Sequence, residues 1–157
     1  MNFLLTGGAG YIGSHAALSL LDAGHNVHII DDLSTGNESL IPKNAFFTKC
    51  NINDEEVISE LIKSNSFDLL MHFAGFIQVE ESVKYPQKYF DNNTENATKL
   101  FETCKNNGLN KIVFSSTAAA YGSVSENKLI DEDTNLNPQN PYAAVSYTHL
   151  TLPTIDR

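Results

Sequence analysis

The chain has 157 residues, of which 41% are hydrophobic and 18% are charged, so it can bury a core and is not expected to be disordered. Its formal net charge of −9 argues against a surface that binds nucleic acid or an anionic membrane. No apolar run approaches the ~20 residues needed to span a bilayer, and no basic region of the kind that opens a signal peptide is present.

Short apolar runs alternate with helix-length amphipathic stretches, a pattern typical of repeated βα units around a parallel sheet. Strands are predicted over residues 3–6, 27–30, 45–48, 67–73 and 111–115, and helices over residues 11–23, 54–62 and 86–107. Residues 123–140 are polar and are predicted to form a surface loop, and residues 142–157 show no cap and no clean period. We therefore expect an α/β, doubly wound parallel sheet of the Rossmann type, with about five βα units. A complete sheet of this kind needs at least one more unit to cover its edge, so we expect this one to be incomplete.

The first predicted strand is followed by a glycine-rich turn in which Gly7, Gly10 and Gly13 are spaced one residue wider than in the common GxGxxG motif. Glycines at these points allow a tight turn, close approach of a pyrophosphate and packing of helix against strand. Asp31 closes the next strand, where a carboxylate accepts hydrogen bonds from ribose hydroxyls and repels a 2′-phosphate. The motif and the acid together predict binding of NAD in preference to NADP.

Cys50 and Cys104 have neither metal-ligand spacing nor the density of a disulfide scaffold. We expect two reduced thiols in a cytoplasmic protein, and no metal site.

Several motifs together resemble the extended short-chain dehydrogenase/reductase family. The matching stretches are TGGAGYIGSH at residues 6–15, DDLSTG at 31–36, HFAG at 72–75, ESV at 81–83, YFDNN at 89–93, FSST at 114–117 and NPY at 140–142. Within that family the sequence is most similar to the UDP-glucose 4-epimerases, mainly through HFAG, YFDNN and the spacing from ESV to the next proline. The resemblance covers about nine tenths of the chain.

The resemblance implies a set of residues that contact NAD. Tyr11 and Ile12 follow the pyrophosphate turn, and the segment after the second strand wraps the adenosine ribose; its members are Asp31, Asp32, Leu33, Ser34, Thr35 and Gly36. Asn51 and Ile52 would lie beside the adenine, although the family usually has Asp in place of Asn51. The segment after the fourth strand would line the cofactor, together with Asn92 from the long helix; its members are Phe73, Ala74, Gly75, Phe76 and Ile77. Lys often stands in place of Ile77 in the family.

By the same resemblance, Thr117 is the residue that hydrogen-bonds the sugar hydroxyl, and Tyr142 is the general base of a YxxxK motif. A phenol ordinarily ionises near pH 10, so such a base needs a neighbouring cation. Ser146 stands where the motif has Lys. Residues 144–154 resemble the translation of a transposon-type sequencing adapter, so we expect the family sequence to cover residues 1–143 and the tail 144–157 to be foreign. His149 of that tail is not expected to act as a base, and the family's catalytic helix and C-terminal sugar-binding domain are expected to be missing.

Three readings remain open. The first is a UDP-glucose 4-epimerase fragment that is inactive as written, from an enzyme that binds a UDP-sugar and forms a homodimer. The second is a 4,6-dehydratase or another UDP-sugar epimerase of the same family; the dehydratases usually carry an Asp-Glu pair where Ala118 and Ala119 follow Thr117. The third is a non-catalytic NAD-binding fragment.

Overall fold

A computed structural model describes residues 1–123 and 129–151, with side chains through Thr148. The described chain divides into two compact units. The first comprises Met1–Gly75 and Asn96–Ser115, and the second comprises Phe76–Glu95 with residues 116–123 and 129–151. None of the helices in the described ranges is both long and apolar enough to cross a membrane.

The first unit is a five-stranded parallel sheet with the strand order β3-β2-β1-β4-β5. Its strands are β1 (Asn2–Thr6), β2 (Asn26–Asp31), β3 (Phe46–Lys49), β4 (Leu69–His72) and β5 (Ile112–Phe114). The helices of this unit are α1 (Tyr11–Asp22), α2 (Glu55–Ser64) and α5 (Ala97–Asn106), with a short 3₁₀ turn at Glu38–Leu40. The order reverses on either side of β1, which creates the switch point at which sheets of this kind bind ligands. The Rossmann-type fold class is thereby confirmed.

Hydrophobic side chains cover both faces of the sheet, because successive strand residues point to opposite sides. One core cluster contains Leu4 and Ile30 with side chains of α2 and α5, and the other contains Leu5 and Ile29 with Ala17 of α1. The short buried runs in the sequence are therefore strands enclosed by helices on both sides. For this reason polar and apolar residues alternate little along these runs.

The second unit contains the helices α3 (Val79–Lys84), α4 (Pro86–Phe90) and α6 (Pro141–Thr151), together with a 3₁₀ turn at Ala118–Tyr121. Within it, α6 packs against α3, α4 and the 3₁₀ turn. The polar stretch predicted as a loop has no helix or strand over residues 129–140, and residues 124–128 lie outside the described part.

Three details of the sequence-based prediction were wrong. The helix predicted over residues 86–107 is interrupted by a π-helical turn at Asp91–Asn96, where the side chain of Asn93 bonds the main chain of Phe76. Helix α3 was not predicted, because its six residues are too few to show a period. The catalytic helix was expected to be absent, yet residues 141–151 are helical.

Helix α6 forms despite its weak periodicity because it begins with proline and its first turn is capped. Pro141 occupies the first helical position, where its missing N–H is not needed. The side chain of Asn140 accepts a hydrogen bond from the Ala143 N–H at 2.8 Å. The last six residues of the expected foreign tail, 152–157, lie outside the described residues.

Leu70 tests the importance of the core of the first unit. Its side chain is fully buried in the centre of the sheet, so we expect Leu70→Ala to lower the free energy of unfolding by about 3 kcal/mol. Leu129→Ala removes the same atoms from a side chain that is 91% exposed and should change the free energy of unfolding by less than about 0.5 kcal/mol. Urea denaturation of the two variants measures the difference, and equal losses would contradict the packing described above.

Candidate nucleotide-binding site

The glycine turn between β1 and α1 is built from close backbone contacts. Gly7 has φ of +72°, and the Gly10 N–H donates to the Gly7 carbonyl oxygen at 3.1 Å. A Cβ at Gly13 would lie 2.2 Å from that same oxygen, and one at Gly7 would lie 2.5 Å from the backbone nitrogen of Ala74. Any side chain at these two positions would push the turn apart.

The N-terminus of α1 is open to a ligand. Its N-cap is Gly10, which has no side chain to accept hydrogen bonds from the first-turn amides. Tyr11 and Ile12, the first two helical residues, are 77% and 59% exposed. Uncapped amides and the positive end of the helix dipole form a site suited to phosphate oxygens.

Asp31 is the last residue of β2 and is almost completely buried. One carboxylate oxygen accepts the Ala9 N–H of the glycine turn at 3.0 Å, and the other accepts the Leu33 N–H at 2.9 Å. Asp31 therefore ties the glycine turn to the segment that follows β2. Each oxygen keeps a second lone pair for a ligand hydroxyl.

The segment after Asp31 closes tightly over it. Leu33 is the only non-glycine residue of the described chain with positive φ, at +60°. A Cβ at Gly36 would lie 2.8 Å from an Asp31 carboxylate oxygen, so glycine is required there. Ser34 and Thr35, at the tip of the segment, are exposed.

Asp32 and Asn51 form a hydrogen-bonded pair beside this segment. The Asn51 amide nitrogen donates to an Asp32 carboxylate oxygen at 2.7 Å, and the Ser34 N–H donates to the other at 2.8 Å. Partial burial acts to raise the pKa of Asp32, but the hydrogen bonds from Ser34 and Asn51 outweigh it, and the pKa lies below its ordinary value. Asp32 therefore remains ionised.

The side chains of the two residues assigned to the adenine, Asn51 and Ile52, lie in different surroundings. The Asn51 side-chain oxygen accepts the Asn53 N–H at 3.2 Å, so it has a partner within the chain. The Ile52 side chain is buried in the core cluster with Leu4 and Ile30.

The segment after β4 begins in the first unit beside the glycine turn. The Phe73 N–H donates to the Thr6 carbonyl oxygen at 3.0 Å, which extends the pairing of β1 with β4. Ala74 then lies against Gly7, as the glycine contact above requires. Phe73, Ala74 and Gly75 are all partly exposed at this edge of the sheet.

Phe76, Ile77 and Asn92 belong to the second unit. The Asn93 side chain bonds both main-chain groups of Phe76, accepting from its N–H at 2.9 Å and donating to its carbonyl at 2.8 Å. The Asn92 amide donates to the Asn93 side-chain oxygen at 2.8 Å, and Ile77 is 73% exposed.

The proposed catalytic residues are also both in the second unit. Thr117 precedes the 3₁₀ turn, and its hydroxyl oxygen accepts the Ala119 N–H at 3.2 Å, which leaves its O–H as a donor. Tyr142 is half-buried in the first turn of α6. Ser146 lies one turn later and is buried, with its hydroxyl donating to the Tyr142 carbonyl at 3.4 Å. A neutral hydroxyl therefore occupies the position of the motif's cation.

Neither cysteine is prepared for nucleophilic chemistry. Both thiols are free, and burial raises the pKa of Cys50 to about 11 and that of Cys104 to about 12. A thiol with such a pKa is protonated at neutral pH.

A model of the NAD dependent epimerase/dehydratase family matches residues 3–149. The chain belongs to this family. It is 42% identical over 142 residues to the UDP-glucose 4-epimerase of Lactobacillus helveticus, covering 90% of this chain and 43% of that protein. It is 45% identical over 141 residues to that of Azospirillum brasilense, covering 90% and 40%.

A solved structure of the Thermus thermophilus UDP-glucose 4-epimerase in complex with NAD superposes with a TM-score of 0.89 at 34% identity, covering 96% of this chain and 50% of that one. The chain thus spans half or less of the length of these relatives.

Two features of the site were missed by sequence reasoning. Gly8 also lies too close to a neighbour to carry a side chain without a shift, because a Cβ there would lie 2.5 Å from the Ile29 side chain. Its run with Gly7 was the available signal. The contact between Asn93 and Phe76 joins residues that are 17 positions apart in sequence, and no local sequence pattern indicates it.

Gly13 and Gly10 offer a matched test of the turn. The Cβ of Gly13→Ala would meet the Gly7 oxygen at 2.2 Å, whereas that of Gly10→Ala would meet it at 3.2 Å. We expect Gly13→Ala to lower the free energy of unfolding by about 2 kcal/mol and Gly10→Ala by less than about 1 kcal/mol. Thermal unfolding measures both, and a reversed ranking would contradict the turn geometry.

Proposed function

We propose that this chain binds NAD through the glycine turn and the segment after β2. The open N-terminus of α1 fits a pyrophosphate, since Gly7 and Gly13 leave no Cβ in the way and no side chain caps the helix. Asp31 keeps lone pairs for the ribose hydroxyls, and its charge and that of Asp32 oppose a 2′-phosphate. The observation that carries the proposal is this uncapped turn with a buried acid bonded directly to it.

The cofactor preference is testable by calorimetry. We expect the protein to bind NAD more tightly than NADP. We expect Asp31→Ala to reduce the difference in affinity between the two cofactors, because it removes the carboxylate nearest the ribose. Asp31→Ala should also weaken binding of both cofactors, since it frees the Ala9 and Leu33 N–H groups. Asp22→Ala removes the same charge from an exposed position of α1 and should leave the difference in affinity between NAD and NADP unchanged. Tighter binding of NADP than of NAD would refute the cofactor assignment.

We infer that the reaction is the interconversion of UDP-glucose and UDP-galactose by the complete enzyme to which these residues belong. NAD, when bound, accepts and returns the hydride at C4 of the sugar. Tyr142 takes the proton of the C4 hydroxyl, and Thr117 donates its free O–H to the same oxygen. The 4-keto sugar rotates so that the hydride would return to its opposite face, and return of the proton from Tyr142 to the C4 oxygen gives the epimer. A cytoplasmic homodimer belongs to the same proposal.

We also propose that residues 1–143 are the family-derived part of the chain and that residues 144–157 are foreign to it. The basis is the adapter-like sequence and the replacement of the motif's lysine by Ser146, whose hydroxyl cannot supply a positive charge. Reading the gene across codon 143 tests this directly. An uninterrupted genomic codon for Ser146 followed by the same tail would refute it.

The chain as written should therefore show no measurable epimerisation. Correct positioning of the reacting groups lowers the activation free energy by several kcal/mol, and each 1.36 kcal/mol corresponds to about a tenfold change in rate. Ser146→Lys alone should not restore activity, whereas the full reading frame recovered from the gene should. The assay supplies UDP-galactose and NAD and measures UDP-glucose.

The same assay discriminates the related reactions. Elimination of water needs an acid and a base near the sugar, and Ala118 and Ala119 of the 3₁₀ turn offer only methyl groups. A 4-keto-6-deoxy product from the full reading frame would establish a dehydratase instead. Turnover by the 157-residue chain itself would refute the requirement for a cation beside Tyr142.

A further inference from the structure

The first turn of α6 obtains its hydrogen-bond acceptors from two sources. Pro141 has no N–H, and the amides of Ala143 and Ala144 donate to the side chain and main chain of Asn140 at 2.8 and 3.0 Å. The Tyr142 N–H instead donates at 3.2 Å to the hydroxyl of Ser82, which lies 60 residues away in sequence. The residue that carries the phenol is thus anchored by a different helix.

Ser82 is well suited to hold this amide. Its side chain is fully buried in α3, and its hydroxyl donates to the Val79 carbonyl at 2.6 Å. A hydroxyl has one hydrogen and two lone pairs. Since the hydrogen is committed to Val79, the Ser82 oxygen faces the Tyr142 N–H as a pure acceptor.

Helix α3 is itself held in place by a buried tyrosine. The Tyr89 phenol accepts the Gln78 N–H at 3.0 Å, at the N-cap of α3, and donates to a Glu81 carboxylate oxygen at 2.9 Å. Tyr89 itself has no exposed surface, whereas the Glu81 side chain is 30% exposed. Ser82, next to Glu81, therefore lies on a helix that is held by contacts besides those with α6.

We propose that Ser82 is a positioning residue for Tyr142, and that its buried hydroxyl sets the start of α6 and with it the direction of the phenol. The inference rests on the proposed function, which makes Tyr142 the proton acceptor, and assigns a role to a residue outside the glycine turn and the YxxxK motif. The Asn140 side-chain oxygen accepts the Ala143 N–H, and the Tyr142 N–H is bonded to Ser82. Without Ser82 the Tyr142 amide loses its acceptor, and the first turn of α6 is free to shift.

The experiment uses the full reading frame with its native continuation. Ser82→Ala should lower kcat for UDP-galactose about tenfold, because the phenol is misplaced, and should leave the Kd for NAD within about twofold. Ser82→Thr and Ser82→Val have nearly the same volume and differ in the hydroxyl, so the threonine variant should retain more kcat than the valine variant. Ser64→Ala, on an exposed residue of α2, is the control for loss of a serine hydroxyl.

Two results would overturn the inference while the proposed function stands: wild-type kcat in Ser82→Ala, or equal kcat in the threonine and valine variants. If the unaltered enzyme does not epimerise, the proposed function fails separately. Hydrogen exchange at the Tyr142 amide then decides whether Ser82 anchors α6. Slow exchange of the Tyr142 amide with Ser or Thr at position 82, and fast exchange with Ala or Val there, would support the anchor. Equal exchange rates in the four proteins would overturn it.

Discussion

The carboxyl edge of β1 and β4 depends on two close approaches between backbones, both of which involve Gly7. Gly7 lies against the main chain of Ala74, and Gly13 lies against the carbonyl of Gly7, at separations that leave no space for a Cβ. Because of these contacts the first turn of α1 starts directly at the carboxyl edge of β1 and β4. The open amides of that turn are a consequence of the packing, and so the same glycines serve both the fold and the site.

The acids beside this turn are structural as well as electrostatic. A buried carboxylate is unfavourable unless hydrogen bonds satisfy it, and Asp31 meets that requirement with the N–H groups of Ala9 and Leu33. Asp32 is satisfied by Ser34 and Asn51. Asn51 fits this arrangement, since an amide can donate to Asp32 where a second carboxylate would repel it. The negative charge of the pair therefore lies on Asp32.

The parts of the fold that were predicted from sequence are those whose signal is local. β1, the glycine turn and α1 are marked by an apolar run, spaced glycines and helical periodicity within about twenty residues. β1 and β2 have buried side chains on both faces, so their apolar runs were visible without alternation. The π-helical turn was missed because its determinant is a contact between segments distant in sequence, as Asn93 shows with Phe76. The partner of Asn51 was missed for the same reason. Helix α3 was missed because its six residues show no period.

Helix α6 shows that the position of a side chain and its chemistry can be separated. The helix continues from Pro141 to Thr151 and buries Val145 and Ser146. Its start is set by Pro141, Asn140 and the anchor from Ser82, and residues such as Ala and Leu continue a helix at little cost once it is nucleated. A side chain four residues after Tyr142 is therefore carried to the same face whatever its identity. At that position Ser146 places a neutral hydroxyl bonded to the Tyr142 carbonyl, and a neutral group supplies no positive charge to the Tyr142 side chain.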